Sequence, residues 1–395
     1  MKFAFGRALS RPFFLLALGF MISGTLSANA RQWFVYFGTY TSGQSQGIYT
    51  ARFDDKTGQL SAPELFATTK NPTFLAVHPN RRWLFAVSEV ANQGRKPGGA
   101  ASVFEVHPAS GMLDFMDQES SGGAGPCHLS LDRTGRCLLV ANYGSGSVSA
   151  IRIDPEGMLS PGSTNQHAGS SVNLKRQAGP HAHQAVVSPD NRFALVCDLG
   201  LDKVQVYELD PKAALLTPHS PSAVAVHPGA GPRHLAFRPD GRFFYVINEL
   251  DSTACAYAWN AGKGEGKHIQ TISTLPANVN AADAGLTNYC AAMVAHPNGR
   301  FVYGSNRGHD SIVVFSSDRR TGKLKTVAHT SSGGKFPRFI TLDPKGKWLF
   351  SLNQHSGDIV VLKVDARTGK LSAPVSKLHL DSPVCAVFVP APGKN

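Results

Sequence analysis

The chain is short of charge, of cysteine and of long apolar runs. Charged residues make up 17% of its 395 positions, below the roughly one-quarter usual in soluble domains. Hydrophobic residues nevertheless reach 42%, which excludes a disordered chain, and the composition fits neither collagen nor a coiled coil. The six cysteines, at 127, 137, 197, 255, 290 and 385, form no C-x-x-C pair and no metal-finger spacing, so zinc modules are excluded. Glu249 with several asparagines would fit a hard cation, but arginines at the same strand ends make no metal the expectation. Cys137, Cys197, Cys255 and Cys385 lie inside apolar runs and read as small core residues. A disulfide is the alternative in an oxidising compartment.

One apolar run stands apart. Phe13 to Leu26 carries no charge, follows Lys2, Arg7 and Arg11, and precedes Ala28-Asn29-Ala30. This is the pattern of a secretory signal peptide, residues 1–30, cut after Ala30. An uncleaved anchor is the alternative. No other stretch is long and apolar enough to span a bilayer. The mature chain is therefore expected in the periplasm or outside the cell, with no stable membrane insertion. Losing three cations takes the net charge from +12 to +9. The basic excess first suggests nucleic acid. However, the cations are spread over turns, and no basic helix or aromatic-plus-basic run appears, so a solvated surface is the better reading.

What the sequence has in abundance is turns, with 39 glycines and 25 prolines. They fall in two registers. One is His78-Pro-Asn-Arg-Arg82, Asp132-Arg-Thr-Gly-Arg136, Ser188-Pro-Asp-Asn-Arg192, Arg238-Pro-Asp-Gly-Arg242, His296-Pro-Asn-Gly-Arg300 and Asp343-Pro-Lys-Gly-Lys347. The other includes Asp54-Asp-Lys-Thr-Gly-Gln-Leu60, Asp318-Arg-Arg-Thr-Gly-Lys-Leu324 and Asp365-Ala-Arg-Thr-Gly-Lys-Leu371. Apolar β-rich runs flank each turn, so each makes a hairpin. Two hairpins in every 50 residues or so mean four strands per unit, the blade of a β-propeller. The second register has seven turns and the first has six. The ends explain the mismatch. Pro383-Val-Cys-Ala-Val-Phe-Val389 reads as a first strand with no second, and Trp33-Phe-Val-Tyr-Phe37 as a second with no first. Together they complete one blade. The expectation is an all-β, seven-bladed propeller over residues 31–395, closed by its two terminal strands. A solenoid, the alternative, would need no such complementary ends.

The first two strands of a blade are antiparallel, so the start of the first lies beside the end of the second. Unusual residues at both ends therefore meet at one mouth of the central channel. They are His128, His181, His183, Asp198, Arg233, His234, Glu249, Arg307 and Arg338, with Asn248 and Asn306 adjoining the charges. Arginines offer donor forks to a carboxylate, a phosphate or a developing oxyanion. Histidine or glutamate can take a proton from water. That set suits opening or closing of an ester ring in an anionic substrate. Each member has a bland alternative: the asparagines as turn caps, His128 and His234 as channel lining, Arg233 with Glu249 as a structural ion pair.

The strand ends also carry a resemblance. Asn71-Pro-Thr-Phe-Leu-Ala-Val-His-Pro79, Gly125-Pro-Cys-His-Leu-Ser130, Gly179-Pro-His-Ala-His183, Gly231-Pro-Arg-His-Leu-Ala-Phe237, Val246-Ile-Asn-Glu-Leu250 and Ser305-Asn-Arg-Gly-His-Asp310 resemble the seven-bladed lactonase propellers. That family includes bacterial propeller-type 6-phosphogluconolactonases and fungal carboxy-cis,cis-muconate cyclases. The resemblance runs from Phe34 to Val389. It implies lactone chemistry in the channel without a required cofactor. It points to a histidine of the 179–183 segment (His183 or His181), Arg233, Glu249 and Arg307 as catalytic. Arg338, His128, His234, Asn248, Asn306 and Asp198 are then expected to bind substrate. One position departs: Ala292 stands where the family usually has glutamate. The expected partner is a small anionic lactone, taken by a monomer. A non-catalytic binder and a muconate-type cycloisomerase are the alternatives.

Overall fold

The computed structural model describes residues 1–2, 32–93, 96–279 and 287–392. Nearly all of the expected signal segment lies outside them. Seven four-stranded antiparallel sheets form the ring. Numbering blades by their inner strands in chain order, blade 4 is typical: Pro232–Phe237, Phe243–Asn248, Thr253–Asn260 and Glu265–Ser273, from channel to rim. The first strands of adjacent blades touch one another around the channel. Blade 7 is the composite one. Its inner strand is Pro383–Pro390, paired with Gln32–Thr39 from Trp33↔Pro390 to Thr39↔Pro383, as the sequence ends predict.

Each interface between neighbouring blades holds one apolar cluster, seven in all. A recurring joint fastens them. The glycine of the outer turn of one blade lies on an aromatic residue near the start of the second strand of the blade before it. A Cβ on Gly111 would come within 2.7 Å of the Phe34 ring, and one on Gly157 within 2.6 Å of Trp83. Both turns also need positive φ, 78° and 92°, which glycine adopts without strain. Blade 3 makes the opposite choice. Ala214 takes the turn at φ 49°, and the small Cys137 replaces the aromatic in the same cluster. All six cysteines are buried and unpaired, and Cys137, Cys197, Cys255 and Cys385 sit in the apolar clusters as core residues.

The inner strands share one irregularity. Register slips between Pro126 and His128, Ala182 and Gln184, Pro232 and His234, Pro337 and Phe339. It slips again between Cys290 and Met293, and opposite Gly38/Thr39 at Val384. A bulged residue leaves the two-residue alternation, so its side chain is re-aimed. Cys127, His183, Arg233 and Arg338 are the residues displaced in this way, and all four line the space at the mouth of the channel.

Candidate functional site

That space is a cavity of about 290 Å³. Its charged lining is Arg176, Arg307, Arg338, Glu89 and Glu249, with His183 beside them. Tyr143, Tyr289 and Phe336 supply its aromatic walls. Arg233 stands just beneath, in the narrow floor with Thr73, Phe74, His234 and Phe339.

Glu249 is the hub. Its Oε2 lies 2.6 Å from Arg307 Nη2 and 2.9 Å from Arg233 Nε, and its Oε1 lies 2.6 Å from Arg176 Nη2. The Arg233 contact is ionic, since its Nε has no properly directed hydrogen bond. Burial alone would push the Glu249 carboxyl up. Arg307, Arg233 and Arg176 outweigh it and hold the group down at about 2. Arg233 is the most deeply sunk of these cations. Burial, with repulsion from Arg307 and Arg338, lowers it to about 9. Its Nη1 donates to the Ala291 carbonyl at 2.7 Å, on the bulge of blade 5.

The opposite wall is built differently. Arg338 Nη2 donates to Tyr40 Oη at 2.8 Å, and its guanidinium lies over the Tyr40 ring. Tyr40 Oη donates in turn to Glu89 Oε1 at 2.8 Å, and Thr73 Oγ1 donates to Glu89 Oε2 at 2.5 Å. Among the described residues, Arg338 has no carboxylate within ion-pair distance.

Three histidines descend from the cavity. His183 stands 5.4 Å from His234, ring to ring, and His234 stands 5.8 Å from His128. His128 packs on Phe74 at 4.1 Å. Burial, then Arg233, lowers His128 to about 3. His183 and His234 fall well below their ordinary value, through burial first and then the neighbouring cations. All three are neutral imidazoles at pH 7. The buried Nδ1 atoms of His128 and His183 have no hydrogen-bond partner.

Some expected residues stand elsewhere. His181 lies behind the cavity wall. Its ring stacks on Tyr143 at 4.5 Å, and its Nδ1 lies 3.0 Å from the Tyr143 carbonyl. Asp198 faces away from the channel. It accepts from the backbone N–H of His181 and Gly200 and pairs with His167. Asn306 donates Nδ2 to the Thr274 carbonyl, strapping blade 5 to the exit of blade 4. Asn248 donates to Thr253 within its own hairpin. Asp198, Asn248 and Asn306 do not line the cavity, because successive side chains along a strand point to opposite faces. The residues that follow Asn248 and Asn306, Glu249 and Arg307, are the ones that line the cavity. The same position in blades 1 and 2 supplies Glu89 and Tyr143, a signal present in the sequence. Arg176 comes from an irregular connection, and no register marks it. Ala292 is packed in the core between blades 5 and 6, outside the cavity.

The molecule is thus a ring of seven blades with a cationic cavity where the inner strands begin. The chain belongs to the seven-bladed β-propeller lactonase family, whose pattern matches residues 34–388. It is 36% identical over 309 residues to the 6-phosphogluconolactonase of Bacillus subtilis, covering 78% of this chain and 84% of that protein. A 6-phosphogluconolactonase of Formosa agariphila is 31% identical over 78% of this chain and 86% of its own length. Among solved structures, the periplasmic gluconolactonase of Pseudomonas aeruginosa superposes with a TM-score of 0.83 at 33% identity, over 91% of this chain and all of that one.

Proposed function

We propose that the protein is an exported lactonase that hydrolyses a sugar-acid lactone, preferentially an anionic one, in the mouth cavity. The observation that carries this is the local charge. Four guanidinium groups, of Arg176, Arg233, Arg307 and Arg338, meet two carboxylates, Glu89 and Glu249. An excess of cations in a small, aromatic-walled space favours an anionic ligand. The lactonase and gluconolactonase relatives support a lactone ring as its reacting part.

Arg338, free of a carboxylate partner, meets the ester carbonyl oxygen, where negative charge develops. Water attacks the carbonyl carbon and His183 takes its proton. The ring C–O bond then breaks, the proton passes to the ring oxygen, and the product hydroxy acid ionises. Burial and three arginines depress the basicity of His183. An anion bound to those arginines cancels part of their field, so the substrate itself strengthens the base. Glu249 holds Arg233 and Arg307 in place, and His181 sets the Tyr143 wall. Ring closure of an unsaturated diacid would use the same atoms in reverse, and product analysis distinguishes it.

The test is acid release from 6-phosphogluconolactone, gluconolactone and a muconolactone, above the spontaneous rate. Hydrolysis of at least one, with large losses in His183→Asn and Arg338→Ala, is expected. Background rates throughout overturn the enzyme reading. Rates unaffected by either substitution overturn the site and favour a binding role. Export is tested separately by N-terminal sequencing of periplasmic protein, which should begin at Arg31.

A further inference from the structure

We infer that Arg176 is an exchangeable counter-ion: an anionic group on the substrate draws it off Glu249 and so bares one carboxylate oxygen to the attacking water. The inference rests on the lactonase reading above.

The three cations around Glu249 are not equivalent. Arg233 and Arg307 both address Oε2, whereas Arg176 alone addresses Oε1. Arg233 and Arg307 sit on strands, with side chains 2% and 5% exposed. Arg307 is further tied to the Tyr289 and Cys290 carbonyls. Arg176 is 32% exposed and comes from the connection 167–181. The equivalent connections 121–125, 226–231 and 332–336 are much shorter, and 274–288, which is as long, holds no Lys or Arg. Turning Arg176 outward therefore disturbs no strand and buries no unpaired charge.

The segment behind it is firmly seated. Gln177 is fully buried. Its Nε2 donates to the Leu199 carbonyl at 2.9 Å and to Asp202 Oδ1 at 2.8 Å. Ser171 Oγ donates to Asp202 Oδ2 at 2.5 Å. Only the Arg176 side chain needs to move. Tyr143 Oη accepts from it at 3.3 Å, and the Tyr289 ring lies 5.6 Å from its guanidinium. Both contacts keep it at the rim when it leaves Glu249.

When Arg176 turns to an anion, Oε2 keeps its two strand arginines and Oε1 keeps no donor. A carboxylate held by one oxygen and bare at the other is an oriented acceptor for water. A neutral lactone leaves Arg176 on Oε1 and Glu249 masked. Anionic substrates are thus selected twice, by binding and by unmasking.

The experiment compares 6-phosphogluconolactone with uncharged glucono-δ-lactone in wild type, Arg176→Ala and Arg176→Lys. For Arg176→Ala, kcat/KM on the phosphorylated lactone should fall about 30-fold, the value of one lost charge-assisted hydrogen bond. On the neutral lactone it should rise about threefold, because the mask is gone. Arg176→Lys should restore most of the phosphorylated rate. Equal losses on both lactones, or no change on either, overturn the inference, as does a wild type with no preference for the phosphorylated one. Calorimetric titration with 6-phosphogluconate gives a readout independent of turnover. If no lactone is hydrolysed, the lactonase reading fails. In that case, at least tenfold weaker 6-phosphogluconate binding in Arg176→Ala would still establish anion capture by Arg176. Equal binding in both proteins would end it.

Discussion

The two walls of the cavity present the same kind of cation in opposite electrical settings. On one, Glu249 gathers Arg176, Arg233 and Arg307 into a buried cluster that satisfies much of its own charge. On the other, Arg338 is steadied by a phenol and its ring, with Glu89 one hydrogen bond further back. The first wall is a scaffold whose parts hold one another. The second leaves a cation to be completed by whatever enters. Position is separated from affinity in this way, and substitutions on the two walls should behave differently.

The sharpest contrast is Glu249→Gln. Three guanidinium groups would lose their shared anion, two of them deeply buried. Breaking such a pair costs about 3–5 kcal/mol, and activity should fall by about 100-fold or more as the arginines separate. Denaturant unfolding and kcat/KM should therefore drop together. Arg338→Ala should split them, with about 100-fold lost from kcat/KM but only about 1 kcal/mol from stability, because no carboxylate is left unpaired. Equal stability losses in the two variants would erase the distinction between the walls.

Acid titration sharpens it further. The folded protein favours neutral His128, His183 and His234, whereas the unfolded chain takes up protons below about 6.5. Their contribution is complete above that pH and is lost as pH falls below it, for His128 down to about 3. Glu249 is the depressed carboxylate. Its contribution is present above the ordinary 4.5 and is lost as pH falls toward about 2. Urea midpoints measured from pH 7 to pH 3 should show both stages. His183→Asn should flatten the upper one, and Glu249→Gln the lower. The smallest effect belongs to Tyr40→Phe. Arg338 would keep the ring but lose its acceptor, a change of about three- to tenfold in kcat/KM. No change would mean that the ring alone holds the guanidinium.

Turn spacing made the blade, its strand count and the shared terminal blade legible in the sequence, because a propeller repeats its hairpins. Strand ends likewise singled out Arg233, Glu249, Arg307, Arg338 and His183, which the fold brings together at the mouth of the channel. Alternation was harder to read from the sequence: Asn248 and Asn306 sit one residue before Glu249 and Arg307, which line the cavity, and Asp198 pairs with His167 instead. The bulges could not be foreseen, yet they aim Cys127, His183, Arg233 and Arg338 into the channel. Arg176 was hidden for a simpler reason: an irregular connection has no period from which to read direction.

Closure by the two terminal strands has a consequence for the order of events in the cell. Gln32–Thr39 waits for Pro383–Pro390 as its inner neighbour. Until the last segment of the chain is made, an apolar edge containing Trp33, Val35 and Phe37 stays open, and two of the seven interfaces stay unfinished. Pairing across nearly the whole length of a chain is slow. The ring thus cannot close until Pro383–Pro390 is available to Gln32–Thr39, which leaves an interval in which it stands open.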